Sequence, residues 1–294
     1  MTSKIEQGVI YMFLSALISA LNGAVAKVLS DDLSALEIVF FRNIIGAVFI
    51  LVMLHHTPTK LPGGKPHLLI LRGLFGFSAM ILFFYTITTI PLGEAITLNK
   101  TSPLFVAILA FFLLNEKLNL SSILALIIGF IGILLITQPV GMSISYEHFL
   151  GILGGFLAAS AYATIKKIKH LYDARVIVLS FMTMGAMIPL ALFIVAPYVN
   201  APESLSFLFV NPILPSSLQL WTLILLMAVI STLSQWLLTK AYSLSKAGII
   251  GVVSYTNIPF AIGFGYMLGD SFPDFWAFTG ISLIILGGLM VKKG

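Results

Sequence analysis

The fold is decided by two polar, proline-containing stretches in apolar surroundings, NKTSPLF at 99–105 and YTNIPF at 255–260. Their prolines lie 156 residues apart in a chain of 294 residues. Each stretch is followed by a turn with an acidic residue, Glu116 or Asp270, and then by one more apolar segment. The spacing predicts an internal repeat of two similar halves.

The composition indicates that these halves fold in a lipid bilayer. Hydrophobic residues make up 59% of the chain and charged residues 9%. A soluble globular domain carries about 25% charged residues, so an ordinary soluble fold is excluded. A helix needs about 20 residues to cross the ~30 Å hydrocarbon core of a bilayer. Ten apolar runs have about this length, at roughly 8–29, 36–54, 67–90, 94–114, 121–138, 149–168, 176–198, 219–240, 248–268 and 275–291.

The sequence therefore predicts an all-α membrane protein of ten transmembrane helices. The first repeat covers residues 8–138 and the second covers residues 149–291. Five spans per repeat is an odd number, so the second repeat enters the membrane from the opposite side, as in many secondary transporters.

The lysines and arginines predict the orientation. With both termini in the cytoplasm, all but three of the 16 basic residues lie on the inner side, as the positive-inside rule requires. The other three, Lys27, Arg42 and Lys100, lie within spans, whereas Arg72 counts among the inner charges. The outer side receives acidic residues and no lysine or arginine. The net charge of +5 thus reflects topology, and we expect no nucleic-acid partner.

Enzyme and cofactor motifs are absent from the sequence. There is no cysteine, which excludes disulfides and thiolate zinc sites. The five histidines have no ligand spacing, and no Walker loop is present. We therefore expect neither an enzyme nor a bound metal or cofactor.

Several motifs resemble the EamA family of the drug/metabolite transporter superfamily. They are FFR at 40–42, FFY at 83–85, IPLGEA at 90–95, TSPLF at 101–105 and NEK at 115–117. The resemblance implies two inverted five-helix EamA repeats around a cavity lined by spans one, three, four, six, eight and nine. Members of the family move amino acids, nucleoside-like compounds such as S-adenosylmethionine, vitamins or metallophores. The second half departs from the family pattern, because DSFP at 270–273 replaces the usual Gly-Glu turn.

Polar side chains form stripes on these same spans. Residues three or four apart share one face of a helix, and Tyr11, Ser15, Ser19 and Asn22 follow this spacing in span one. Ser231, Gln235, Thr239 and Tyr242 do so in span eight. The predicted substrate pathway consists of Tyr11, Ser15, Ser19, Asn22, Tyr85, Asn99, Lys100, Ser102, Pro103, Ser160, Thr164, Gln235, Tyr255, Asn257 and Pro259.

Each of these residues also has a structural interpretation. Serine, threonine and asparagine in membrane helices commonly pack helices together or bond back to their own helix. Lys100 either supplies a positive charge for an anionic solute or extends to the outer face. For Lys27 and Arg42, the sequence favours ion-paired anchors at the membrane interface.

The sequence thus predicts a secondary transporter for an amino acid, a nucleoside-like or a vitamin-like solute in the inner membrane. The alternatives are a multidrug or lipid-linked solute exporter and a non-transporting membrane scaffold. A homodimer through the glycines of spans five and ten remains open. Pro103 and Pro259 are predicted hinges, because a proline removes a hydrogen bond and displaces the carbonyl group four residues earlier, here those of Asn99 and Tyr255.

Overall fold

The computed structural model describes residues 4–59, 61–89, 98–116, 119–137, 146–212, 214–268 and 274–292. All regular elements in this part of the chain are helical. They are α1 (Lys4–Leu29), α2 (Ala35–His56), α3 (Pro66–Thr89), α4 (Ser102–Leu114), α5 (Leu120–Thr137), α6 (Tyr146–Ile168), α7 (Ala174–Val195), α8 (Leu218–Leu244), α9 (Ala247–Ser254), α10 (Asn257–Met267) and α11 (Phe275–Lys292). Short 3₁₀ turns at Ala196–Tyr198 and Glu203–Leu208 lie between α7 and α8.

Most of these helices are long and apolar enough to cross a membrane. Seven described segments meet that requirement: Ile5–Leu29, Ala35–His56, Pro66–Thr86, Tyr146–Ile168, Ala174–Tyr198, Leu218–Leu244 and Ala247–Met267. Three shorter apolar helices accompany them, Ser102–Leu114, Leu120–Ile136 and Phe275–Gly287. The prediction of an all-helical membrane protein is confirmed at this level.

Two helix starts are fixed by polar side chains. Ser34 and Glu37 form a reciprocal capping box at the start of α2, and Asp173 accepts a hydrogen bond from the backbone N–H of Arg175 at the start of α7. Each cap satisfies backbone donors that a helix start leaves without partners, so the chain enters the membrane in a defined register.

The two proline stretches interrupt their spans. Lys100 and Thr101 form a turn before α4, and Tyr255 and Thr256 form a turn between α9 and α10. Each proline then lies in the first turn of the next helix, where its missing N–H costs nothing. The expectation that Pro259 frees the carbonyl oxygen of Tyr255 is wrong, because that oxygen accepts a 3.0 Å hydrogen bond from the backbone N–H of Ile258. The turn itself uses the carbonyl group.

Helices of the first half pack mainly against helices of the second half. The contacting pairs include α1 with α8, α3 with α6, α2 with α7, α5 with α11, and α4 with α9. A further contact, between α4 and α6, supports the turn before α4. There, a Cβ added at Gly155 would lie only 3.1 Å from the carbonyl oxygen of Leu98. A larger residue at position 155 would therefore push this segment away from α6 by a few tenths of an ångström.

The glycines of α5 and α11 are used inside the chain. A Cβ at Gly132 would lie 2.6 Å from the carbonyl oxygen of Gly280, and a Cβ at Gly287 would lie 2.9 Å from that of Ala125. These glycines therefore let α5 and α11 approach each other closely. They do not form a free surface for a second copy, and the homodimer stays a prediction without their support.

Two arginines are buried among α2, α3 and α7. Arg42 is 8% exposed and Arg72 is 1% exposed. Both guanidinium groups lie over the ring of Phe181, at 6.0 and 5.1 Å from its centroid. The expectation that Arg42 is an ion-paired interfacial anchor is wrong, and Arg72, which was counted among the inner charges, is buried inside the bundle. A long arginine side chain reaches an aromatic face inside the bundle, where a cation–π contact offsets part of the cost of desolvation.

The predicted orientation gives a direct test with single cysteines. Asp31 and Lys167 are both exposed and lie at opposite ends of the bundle, after α1 and in the last turn of α6. We expect Asp31→Cys to react with a membrane-impermeant thiol reagent added to intact cells and Lys167→Cys to react only after permeabilisation. Because the chain has no native cysteine, the unmodified protein is the background control. Labelling of Lys167→Cys in intact cells would contradict the orientation.

Candidate functional site

A cavity of about 160 Å³ lies between the two halves of the chain. It is bounded by α1, by the interrupted segment at the start of α4, and by α6, α8, α9 and α10. Its lining consists of Met12, Ser15, Ala16, Ser19, Asn99, Lys100, Ser102, Pro103, Tyr162, Leu238, Tyr242, Ser254 and Asn257. These described residues include one lysine and no carboxylate.

Lys100 lies at the polar end of the cavity. Its Nζ donates a 3.1 Å hydrogen bond to Oδ1 of Asn257, the first residue of α10. The amide nitrogen of Asn257 donates in turn to the carbonyl oxygen of Ala16, at 2.9 Å. The two interrupted spans and α1 are thereby joined at one point. An ammonium group has three donors, so the bond to Asn257 leaves capacity for a further acceptor.

Two tyrosines line the cavity further along α6. Tyr162 lies seven residues, ~10 Å of helix rise, after Gly155, which approaches Leu98 and Thr101 beside Lys100. The rings of Tyr162 and Tyr242 are stacked, with centroids 4.8 Å apart and planes 13° apart. Met12 and Leu238 line the cavity beside them. The cavity therefore has a charged polar end and an aromatic, apolar end, as is typical of a site for an organic ligand.

Tyr162 was not predicted from the sequence. It lies midway between Ser160 and Thr164, so a search for residues four apart passes over it. Tyr242 belongs to the polar stripe of span eight, and its place three residues after Thr239 is the signal that points to it.

The structure brings part of the predicted pathway together. Ser15, Ser19, Asn99, Lys100, Ser102, Pro103 and Asn257 line the cavity. Ser15 also joins α1 to α8, because its hydroxyl group donates to the carbonyl oxygen of Ser234 at 2.8 Å. Ser15 thus has a packing contact as well as a place in the lining.

The remaining predicted residues lie outside this lining. They are Tyr11, Asn22, Tyr85, Ser160, Thr164, Gln235, Tyr255 and Pro259. The hydroxyl groups of Ser160 and Thr164 donate to carbonyl oxygens one turn earlier, at 2.9 and 2.8 Å. Tyr85 packs against Phe207 with ring centroids 4.4 Å apart. A role for these residues in another state of the pathway stays a prediction.

The aromatic residues Tyr255 and Tyr11 pack elsewhere in the bundle. Tyr255 is fully buried, and a Cβ at Gly129 of α5 would meet its ring at 2.5 Å. Tyr11 lies beside Trp236, with ring centroids 6.4 Å apart. Both therefore hold helices together in this conformation.

A polar network joins helix ends about one turn after Tyr162 on α6 and after Tyr242 on α8, at the end of the bundle where lysines cluster. We call it the basic-end network, and it consists of Ile5, Glu116, Lys166, Lys169, Ser243, Ser245 and Ala247. Lys166 forms an ion pair with Glu116, and its Nζ donates to the carbonyl oxygen of Ser245 at 2.7 Å. The carboxylate of Glu116 also accepts the backbone N–H of Ala247 at 2.9 Å.

Further bonds extend the basic-end network to α1 and α6. The Ser245 hydroxyl group donates to the carbonyl oxygen of Ile5 at 3.0 Å, and Lys169 Nζ donates to that of Ser243 at 2.8 Å. Asn115 makes the geometry at Glu116 attainable, because it ends α4 in the left-handed conformation, with φ of 51°. Five helix ends thus meet in one network.

Comparison with known proteins shows that this chain is similar to membrane transporters in sequence and has the fold of a solved structure. A model of the EamA-like transporter family matches residues 6–138. An uncharacterized transporter of Helicobacter pylori is 30% identical and is aligned over 99% of this chain and 96% of its own. A crystal structure with 14% sequence identity has a TM-score of 0.77 and covers 97% of this chain and 96% of its own, which shows the fold.

Two further relatives have more specific names. A pseudopaline exporter of Pseudomonas aeruginosa is 28% identical over 98% of this chain and 97% of its own length. An S-adenosylmethionine uptake transporter of Rickettsia prowazekii is 26% identical over 97% of this chain and 92% of its own length. One of these two small-molecule transporters is thus named as an exporter and the other as an uptake transporter.

Proposed function

Because the chain belongs to the EamA-like transporter family of the drug/metabolite transporter superfamily, we propose that it is a secondary transporter that works by alternating access. It moves a small organic metabolite, such as an amino acid, a nucleoside-like or a vitamin-like solute, across the inner membrane. One observation carries this proposal. The cavity lies between the two halves and is lined by the residues that precede or begin α4 and α10, where the two spans are interrupted. Interrupted helices at matching positions of two repeats mark the binding site in many transporters.

The packing of the helices supports two inverted repeats. If residues 8–138 and 149–291 are equivalent, α1 corresponds to α6, α2 to α7, α3 to α8, and α5 to α11. A two-fold rotation that swaps the repeats then turns the contact of α1 with α8 into the contact of α6 with α3, and both contacts are extensive. The same rotation turns the pair α2–α7 into itself, and likewise the pair α5–α11. A pseudo-two-fold axis between the halves explains this pattern.

The basic-end network supports a conformation that is closed toward the cytoplasm. Lys166 lies four residues after Tyr162 on α6, and Ser245 lies three residues after Tyr242 at the end of α8. The tyrosine stack and the network therefore form two successive layers between the cavity and that end of the bundle. Alternating access requires both layers to separate, since the solute must leave between them.

A small solute suits the cavity better than a large amphiphile. The cavity measures about 160 Å³, whereas pockets for drug-sized ligands measure ~300 Å³ or more. This favours a metabolite carrier over multidrug or lipid-linked export.

A binding screen coupled to a flux measurement tests the proposed function. We expect at least one amino acid, nucleoside or vitamin to raise the melting temperature of the purified protein, because a ligand that binds only the folded state stabilises it by about 2.7 kcal/mol at 100 times its Kd. The same compound should exchange across proteoliposomes that contain the protein. A stabilising compound that never crosses the membrane would contradict transport and favour a scaffold or sensor.

A further inference from the structure

We propose that the substrate is a small amphiphilic carboxylate without a compensating ammonium group, which binds with its carboxylate at Lys100 and its apolar part against Tyr162 and Tyr242. This inference rests on the proposed function and narrows its solute classes to carboxylates without an ammonium group, which leaves out the amino acids.

The charge of the lining is the first argument. Lys100 is the one ionised group among the described lining residues, and no aspartate or glutamate faces it there. Its hydrogen-bond partner, Asn257, is neutral. A lysine in the membrane interior is costly and normally faces a counter-charge or a watery cavity. A carboxylate from the solute supplies a counter-charge that none of the described lining residues provides.

The donors around Lys100 suit a carboxylate. Asn99 and Ser102 lie on the same interrupted segment and line the same cavity. An amide N–H and a hydroxyl group each donate a hydrogen bond, and a carboxylate accepts several at once. A charge-assisted bond from an ammonium group is stronger than a neutral one, so Lys100 sets the position of the anionic end.

The same arrangement argues against a zwitterion or a cation. An ammonium group on the solute would enter a small space that already holds the ammonium of Lys100. The two like charges would repel each other more strongly in this part-buried site than in bulk water. A sulfonium or an amine would meet the same repulsion, and the described lining residues include no carboxylate to offset it.

The opposite end selects an apolar part. The stacked rings of Tyr162 and Tyr242, with Met12 and Leu238, present aromatic and aliphatic surface to the cavity. Burying apolar surface there is favourable. An apolar part of the ligand is therefore favoured beside the two rings.

A matched series of probes tests this inference on the whole protein. The series is 3-phenylpropanoate, its amide 3-phenylpropanamide, the amine 3-phenylpropylamine, the zwitterion phenylalanine, and acetate as the carboxylate without an apolar part. Thermal stabilisation gives the relative affinities, and exchange in proteoliposomes gives transport. We expect 3-phenylpropanoate to bind about tenfold or more tightly than each other member, because the lost ion pair or apolar contact weakens each of them.

Variants of Lys100 then assign the preference to one side chain. Lys100→Met should remove the advantage of the carboxylate over its amide, and Lys100→Arg should retain much of it. Lys27→Met is the matched control, because Lys27 lies exposed in the last turn of α1, outside the cavity lining. It should leave the ranking of the probes unchanged.

The outcomes separate this inference from the proposed function. Equal binding of the acid and its amide, or tighter binding of phenylalanine or the amine, overturns the carboxylate class. An unchanged preference in Lys100→Met overturns the role of that lysine. If every probe fails while another metabolite is exchanged across proteoliposomes, the substrate class is wrong and the transporter stands. If no solute of any class is exchanged, the proposed function fails as well.

Discussion

Charge reversal of Glu116 to lysine is expected to reduce solute flux about tenfold or more, because it places two positive charges together in a partly buried site. The side chains of Lys166 and Glu116 are 6% and 17% exposed, so water screens their interaction only weakly. Reversal would separate the ends of α4 and α6 and release the backbone N–H of Ala247 from its acceptor. The protein would then favour a conformation open at the end that carries the basic-end network, which is the cytoplasmic end in the predicted orientation. The double reversal E116K/K166E should restore a large part of the flux.

A single cysteine in the cavity measures the opening directly. Ser254 lines the cavity on α9, so Ser254→Cys reports access to it. In inverted membrane vesicles, we expect an impermeant thiol reagent to modify this cysteine about tenfold or more faster when E116K is present. Asp173→Asn is the control, because Asp173 pairs with Arg175 two residues away and lies outside the basic-end network. Equal reaction rates in E116K and the unmodified background would show that the Glu116–Lys166 pair does not close this end.

Replacement of both Pro103 and Pro259 by alanine is expected to slow flux about tenfold or more while equilibrium binding changes only about threefold. Alanine restores a backbone N–H and favours helix. A continuous helix through each turn therefore becomes more stable relative to the interrupted one. Lys100 and Asn257 lie in or next to those turns, and their ability to move with the helix ends would be reduced. Flux in proteoliposomes and thermal stabilisation by the same solute separate turnover from binding.

Pro189→Ala is the matched control for the proline variants. Pro189 is buried inside α7, which does not line the cavity, so its replacement should leave flux nearly unchanged. Unchanged flux in the double variant would refute hinges at these prolines. Equal losses of binding and flux would place the prolines in the site without a separate role in the conformational change.

The candidate site was predictable at polar residues that cannot satisfy their hydrogen bonds or charge within their own helix. Lys100 stood out because an ammonium in an apolar span needs a partner or a cavity. Asn257 was predicted because it is a polar residue of the second proline stretch, which repeats the stretch around Lys100. Ser160 and Thr164 had the same helical spacing as cavity residues, yet their hydroxyl groups bond to their own helix. Spacing alone does not distinguish these two uses of a hydroxyl group.

The sequence by itself determined that this chain is a helical membrane protein, because apolar length and low charge depend only on the order of residues and on the thickness of a bilayer. It also marked where two spans are interrupted, since a proline acts on the helix that contains it. The tertiary structure alone decided that Arg42 and Arg72 share the ring of Phe181, that Tyr162 stacks on Tyr242, and that Glu116 meets Lys166. Each of these contacts joins residues from different helices. Which faces meet depends on the packing of all helices together, and no local pattern in one helix encodes it.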